Sequence, residues 1–204
     1  MTELLAERGI HVDPSTIFDW VHQFAPLYQE AARSRCHVVG GRWSVDETYI
    51  RIAGVWCYAY RAIDEHDQVI DVYVSTTRDQ GATTAFFQKA IGETEITPPL
   101  VTTDKAAAYP PALEAVLPDC VHLKGKSHQQ RIERDHQHLK GRLRPMRGFK
   151  VLACAQVVCQ GHGFIRNLGQ GFYDLGVVLG DPRIPHPPRL VRAWNALTVV
   201  LQAV

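Results

Sequence analysis

At 204 residues, with 46% apolar and 21% charged residues, the chain holds enough apolar material for one globular core, and disorder is excluded as its default state. A net charge of +1 excludes a uniformly basic nucleic-acid binder, and no apolar run reaches the roughly 18 residues that a membrane span needs. Five cysteines without a Cys-x-x-Cys pair, behind an acidic, helix-forming start unlike a targeting peptide, predict free thiols in a reducing cytoplasm.

In chain order, residues 2–9 and 14–24 read as two short helices around Gly9-Ile10-His11-Val12. Asp13-Pro14 supplies an N-cap followed by proline at the first helical position. Ile17, Trp20, Val21 and Phe24 then recur at helical spacing, with Ser15, Thr16, Asp19, His22 and Gln23 on the other side. Two helices and a tight turn suggest the end of a helix-turn-helix, and equally fit a helical hairpin packed on the core. Three strand-like runs follow at 43–52, 55–63 and 68–75, with Ala53-Gly54 and Glu65-His66-Asp67 as the turns of an antiparallel meander. Beyond them the pattern predicts a helix over 83–91, a short buried strand at 100–103 and a helix over 105–117. A strand at 120–123, a helix near 129–143 and a covering helix over 152–168 complete the core. The Pro-rich stretch 181–188 closes it, and 189–204 reads as a loosely attached terminal helix. Three strands followed by alternating helices and strands is the element order of an RNase H-like α/β fold.

Three acids stand out against this frame: Asp46 in an apolar strand, Asp104 at the end of another, and Glu133 in a basic helical stretch. An acid in an apolar strand is costly unless its charge is compensated, and converging carboxylates repel one another without a cation. Hard oxygen ligands beside phosphate suit Mg²⁺, in the arrangement that two-metal phosphoryl transfer requires. Strand alternation sends Asp46 and Glu47 to opposite faces, so only one of them is expected in a site on a given face, and the residues alone leave that choice even. Asp104 also reads as the N-cap of the helix that follows. On the third helix Ile132, His136, Leu139 and Leu143 form a core-facing stripe, Glu133 falls beside it, and Asp135 points elsewhere, either to the helix surface or to a supporting position behind the ligands. From 122 to 150 nine Lys/Arg stand against two acids, the electrostatic footprint of phosphate contact. Trp43, Trp56, Tyr58 and Tyr60 read as core and cross-strand pairs rather than base-stacking groups. Cys120-x-His122 with His136-x-His138 fits no standard zinc spacing.

Val45-Asp46-Glu47-Thr48-Tyr49, Tyr60-Arg61-Ala62-Ile63-Asp64, Thr103-Asp104-Lys105 and Ile132-Glu133-Arg134-Asp135-His136 together resemble the DDE transposases of bacterial insertion sequences, in particular the insertion-sequence family six group. The resemblance runs from about the start of the chain to about residue 175. It implies an RNase H-like (retroviral-integrase-like) catalytic core over 42–175, preceded by a partial helix-turn-helix segment over 1–35. A Pro-rich tail over 176–204, with a possible terminal helix, follows. It decides between Asp46 and Glu47 in favour of Asp46. Asp46, Asp104 and Glu133 are thereby implied as the catalytic residues and as the ligands of two Mg²⁺ ions, with Mn²⁺ as a substitute. Lys105, Lys124, Lys126, Arg131, Arg134, Lys140, Arg142, Arg144, Arg147 and Lys150 are the expected DNA contacts. The implied activity is cleavage and strand transfer of insertion-sequence ends, by a homo-oligomer on DNA in the bacterial cytoplasm and nucleoid, away from membranes. A nuclease without joining activity and a DNA-binding remnant of a transposase would carry the same motifs. Relatives have Asn where Gln129-Gln130 stands, a longer segment between the second and third acids, and a further helical segment upstream. With that segment missing, binding is expected to show little preference for the element's own ends.

Overall fold

Ala53 and Gly54 both adopt positive φ, 49° and 81°, which makes the two-residue turn whose twist matches antiparallel strands. That turn fixes the register of β1 (Arg42–Ile52) against β2 (Val55–Ile63), from Ile52 opposite Val55 back to Ser44 opposite Ile63. A second turn follows at 64–68, where the Asp64 carboxylate accepts from the backbone of His66 and Gln68 at 2.8 and 2.9 Å. β3 (Val69–Ser75) then returns antiparallel to β2. The structure, a computed structural model, describes residues 2–125, 130–146, 148–176 and 186–202.

The chain continues through α3 (Gln80–Thr94), β4 (Leu100–Thr103), α4 (Tyr109–Val116), β5 (Val121–Lys124), α5 (Gln130–Leu143) and α6 (Leu152–Gln170). The five strands order as β3-β2-β1-β4-β5, with β4 parallel to β1 and β5 parallel to β4. An antiparallel meander extended by two parallel strands through helical crossovers is the RNase H-like arrangement, as the element order predicts. Strand alternation divides the core into two layers. Trp43, Val45, Tyr60 and Ala62 pack against Phe86 and Phe87 of α3 and Tyr109 and Leu113 of α4. From the opposite face Ile50, Ile52, Ala59 and Ile63 meet Ile132 and Leu139 of α5 and Ala155 and Cys159 of α6. Each large side chain buried this way contributes roughly 1.5–3 kcal/mol relative to exposure.

β3 is an edge strand, and α6 covers it with amide side chains. Asn167 accepts from the Val69 N–H at 2.8 Å and donates to the Val69 carbonyl at 2.7 Å. Gln156 does the same for Val74 N–H and Val72 carbonyl, at 2.7 Å each. The close approach requires Gly163, where a Cβ would stand 3.0 Å from Val69 Cγ1. These contacts satisfy a free β edge that would otherwise pair with another chain.

At the amino end, α1 is only Thr2–Ala6, and α2 (Pro14–Arg33) runs nine residues past its predicted end, through Pro26. Asp13 caps it as expected, accepting from Ser15 N–H at 2.8 Å. Of the predicted core stripe of α2, Trp20, Val21 and Phe24 stay exposed, at 38%, 44% and 42%, while Ile17 is half-buried. Core packing begins only in its second half, at Tyr28 and Ala32. The terminal helix α7 (His186–Gln202) is docked rather than loose. Ala193 and Leu197 are fully buried with Leu168 of α6, and Trp194 stacks on Tyr28 at 4.4 Å. The five cysteines are free. Among the described residues no helix is long and apolar enough to cross a membrane.

Candidate active site

Asp46 and Asp104 are brought together by register. Ser44 pairs with Thr102 in the parallel β1–β4 ladder, so two residues further on Asp46 and Asp104 are side by side. β4 ends at Thr103, and the Asp104 carboxylate folds back to accept from Ala106 N–H at 2.7 Å. The predicted role of Asp104 as a helix cap is thereby corrected: α4 begins only at Tyr109, without a side-chain cap, and Asp104 holds a turn instead.

Ligand oxygens of Asp46, Glu47 and Asp104 all lie within 4.8 Å of one another. The expectation that Asp46 and Glu47 exclude each other is therefore corrected. Asp104 stands just past the end of its strand, where carboxylates from either face of β1 can reach it. The two β1 acids nonetheless differ in their partners. Both Glu47 oxygens are engaged, one by Arg78 Nη2 and the other by the Tyr109 hydroxyl. Burial, then the Glu47 charge, pushes the Tyr109 phenol well above its ordinary value, so it stays protonated as the donor. Arg78 also reaches Asp104 Oδ2 at 3.4 Å. Among the described residues Asp46 has no such cation. Burial first, then the charges of Glu47 and Asp104 with a smaller push from Glu133, raises Asp46 to about 7.

Glu133 lies outside that tight cluster but on the Asp46 side of the sheet. α5 packs on β1 through Ile132, Asp135, His136 and Leu139, all buried, which bears out three of the four stripe positions as fully buried and leaves Leu143 partly so. His136 Nδ1 is 3.6 Å from Asp46 Oδ2, and Glu133 is exposed one helical turn earlier, on a neighbouring face. Burial, then the charges of Arg61 and Lys140, lowers His136 to about 3. The imidazole is therefore neutral, and 3.6 Å is too long for a hydrogen bond, so it gives Asp46 no cationic partner.

Beneath this surface is a charge network that the sequence reading missed. Arg61, directly opposite Asp46 in the β1–β2 ladder, is fully buried and ion-paired to Asp135 of α5. Asp135 also pairs with Arg166 of α6. Of the two places expected for Asp135, the helix surface is ruled out, since it is 1% exposed. At 100° per residue Asp135 borders the apolar stripe, one turn from both Ile132 and Leu139, and the cross-strand position of Arg61 shows why it turns inward. Nothing in sequence marks Arg78 or Tyr109 as partners of Glu47.

Of the expected DNA contacts, Lys105, Lys124, Arg131, Arg134, Lys140, Arg142, Arg144 and Lys150 are exposed, while Lys126 and Arg147 lie outside the described residues, as does Gln129. Arg131 is committed locally: its guanidinium donates to the Glu65 carbonyl and lies 3.8 Å from Asp67. Among the described residues the acidic trio is the one metal-competent group, and the Cys120/His122/His136/His138 set forms none.

Aspartates side by side on β1 and beyond β4, with the helix that carries Glu133 packed over the Asp46 face, are the frame of a DDE domain. The family model of that description, for IS240-type transposases, matches residues 40–171, and the chain belongs to this family. Its relatives include the transposase for insertion sequence-like element IS431mec of Staphylococcus aureus, 35% identical over 148 residues, covering 70% of this chain and 65% of that protein. The transposase for insertion sequence element IS257 in transposon Tn4003, also from Staphylococcus aureus, is 34% identical with the same coverage. The chain thus spans about 65% of the length of these relatives. Among solved structures, the HTLV-2 integrase catalytic core domain in complex with magnesium (trimeric form) aligns at 15% identity and a TM-score of 0.43, over 77% of this chain and 84% of that one. A simian T-cell lymphotropic virus intasome aligns at 13% identity and a TM-score of 0.44, over 78% and 50%.

Proposed function

We propose that the core over 42–175 cuts and joins DNA strands during transposition of an insertion sequence, with Asp46, Asp104 and Glu133 as its metal ligands. The observation that carries this reading is the state of Asp46. It is a half-buried carboxylate raised to about 7 beside a second aspartate, with no cation of its own among the described residues, whereas neighbouring Glu47 is fully engaged by Arg78 and Tyr109. Carboxylates left in that condition fit a divalent cation of the Mg²⁺ or Mn²⁺ class, which supplies hard-oxygen coordination and electrophilic stabilisation at phosphorus. Glu47 is an anchor: it fixes Arg78 beside Asp104 and ties β1 to α4. Asp135, through Arg61 and Arg166, sets the rotation of α5 so that Glu133 and His136 present to Asp46. The exposed cations of α5 and its flanks hold the phosphate backbone, and the working form is a homo-oligomer on DNA in the bacterial cytoplasm.

The test uses labelled duplexes of the element's ends, intact and pre-cut to a free 3′-hydroxyl, with Mg²⁺ or Mn²⁺. Cleavage of intact ends and joining of pre-cut ends are expected, and both should vanish in Asp46→Asn, Asp104→Asn and Glu133→Gln while DNA binding persists. Cleavage without joining would identify a nuclease, and binding without either a DNA-binding remnant. Full activity in Asp104→Asn would remove Asp104 from the site.

A further inference from the structure

A second cleft, of about 440 Å³, opens further along β1. That volume falls in the range of about 300–1,000 Å³ typical of small-ligand sites. Tyr49, Arg51 and Trp56 of the hairpin line one wall; Lys140, Arg144 and Phe149 line the other. Its aromatic rings are poorly covered for their type: Trp56 is 60% exposed and Tyr49 52%. They are the cross-strand pairs that strand spacing predicts, with Tyr49 set edge-on to Trp56 at 6.3 Å and tilted against Tyr58 at 5.1 Å. Trp43 and Tyr60, by contrast, are buried, at 0% and 1% exposure. The same alternating run thus splits into two core aromatics and an open aromatic shelf.

The charges of the cleft are one-sided. Arg51, Lys140 and Arg144 line it, and among the described residues no carboxylate does. The Arg51 guanidinium lies 5.9 Å from the Trp56 ring centre. An apolar protein partner would not call for three cations, whereas an anion carrying a flat aromatic group matches both walls. Through Tyr49 the shelf also lies on the same strand as two of the acids. Tyr49 shares a strand face with Glu47 two residues away, about 7 Å along β1, and Trp56 stands opposite Arg51, about 13 Å along. At about 3.4 Å of rise per nucleotide of a strand, those distances are two to four nucleotides from the acids.

We propose that the Tyr49–Trp56 shelf with Lys140 and Arg144 is a stacking site for one or two unpaired nucleotides next to the phosphodiester held at the acid centre. The inference rests on reading that centre as a DNA-processing site. Stacking on aromatic shelves beside cations is how single strands are bound without regard to sequence. A duplex keeps its bases stacked on one another, so the cleft selects frayed, nicked or overhanging ends.

The test is equilibrium binding of the full chain at fixed salt without divalent metal, to a blunt duplex and to one of the same charge ending in a short single-stranded overhang. The wild-type chain should prefer the overhang. Trp56→Ala and Tyr49→Ala should each weaken overhang binding about tenfold, with less than a twofold change for the blunt duplex, and Trp56→Phe should keep the preference. 5-Iododeoxyuridine in the overhang should photocrosslink to Trp56 or Tyr49. Equal affinity of the wild-type chain for the two duplexes, or an equal loss on both in Trp56→Ala, overturns the proposal. So does a Trp56→Ala chain that keeps its overhang preference but changes oligomeric state, which would assign the shelf to a second copy of the chain. Metal-dependent cleavage is read separately and can stand or fall independently.

Discussion

The acid centre and the first half of α2 have opposite fates although both carry a clear apolar pattern. On β1, Val45 and Trp43 are fully buried below one face while Ile50 and Ile52 are buried below the other, and the acids are held between two packed layers. On α2, Trp20, Val21 and Phe24 recur at helical spacing and stay in solvent. Periodicity specifies which side of an element is apolar; burial also needs a surface to receive it. β1 is flanked by β2 and β4 and covered by helices on both faces, whereas the five residues of α1 give the start of α2 no comparable cover. Rigid acids and an uncovered helix are therefore expected to respond very differently to mutation.

The largest effect is expected at the buried network. Asp135→Ala leaves Arg61 and Arg166 without their shared carboxylate, and removing one partner of a buried ion pair costs about 3–5 kcal/mol. Chemical denaturation should show that loss, and a cost below about 1 kcal/mol would mean the network does not hold α5.

Next is Asp46 itself. A carboxylate whose folded pKa is raised to about 7 destabilises the fold as it ionises, so the penalty grows from about pH 4 to about pH 7 and is constant above. Without divalent metal, Asp46→Asn should melt higher than wild type at pH 8, with a ceiling on the gain of about 4 kcal/mol, and the gap should shrink as the pH falls toward 5. Mg²⁺ should narrow the gap at pH 8 by stabilising only the wild type. The buried His136 and the half-buried His162, both lowered to about 3, act in the opposite sense and weaken both proteins as pH falls below about 6.5. The difference between variants is therefore the quantity to read. A gap that does not vary with pH would show that Asp46 is not strained by its surroundings.

A smaller change is expected on α5. Lys140→Ala with Arg144→Ala should weaken binding similarly for all blunt duplexes and lower the salt slope by about two, because these side chains meet phosphate rather than base edges. A sequence-dependent loss would assign them a reading role.

The smallest effect belongs to α2. Trp20→Ser and Phe24→Ser should change stability by no more than about 0.5 kcal/mol and reduce the binding of hydrophobic dyes, as for surface positions. A loss of about 2 kcal/mol or more from either would show that this half of α2 is packed in solution, and would erase the contrast with β1.

The sequence by itself determined the strand meander, its turns, the helices that follow and the acidic motifs, because each rests on local backbone preference or on a period of two or 3.6. The Ala53-Gly54 turn alone sets the β1–β2 register, and with it places Arg61 opposite Asp46. What only the tertiary structure decided are the pairings between elements. The parallel β1–β4 register sets Asp46 beside Asp104, a non-local choice that no window of sequence contains. Asp135 turns inward because Arg61 and Arg166 await it from two other elements. Glu47 is held by Arg78 and Tyr109, one from before α3 and one from α4, so its role was open in sequence and closed by geometry. The apolar period predicts cover for Trp20 and Trp56, yet both are exposed, since a period marks an apolar side and only the arrangement of the whole chain supplies something to cover it.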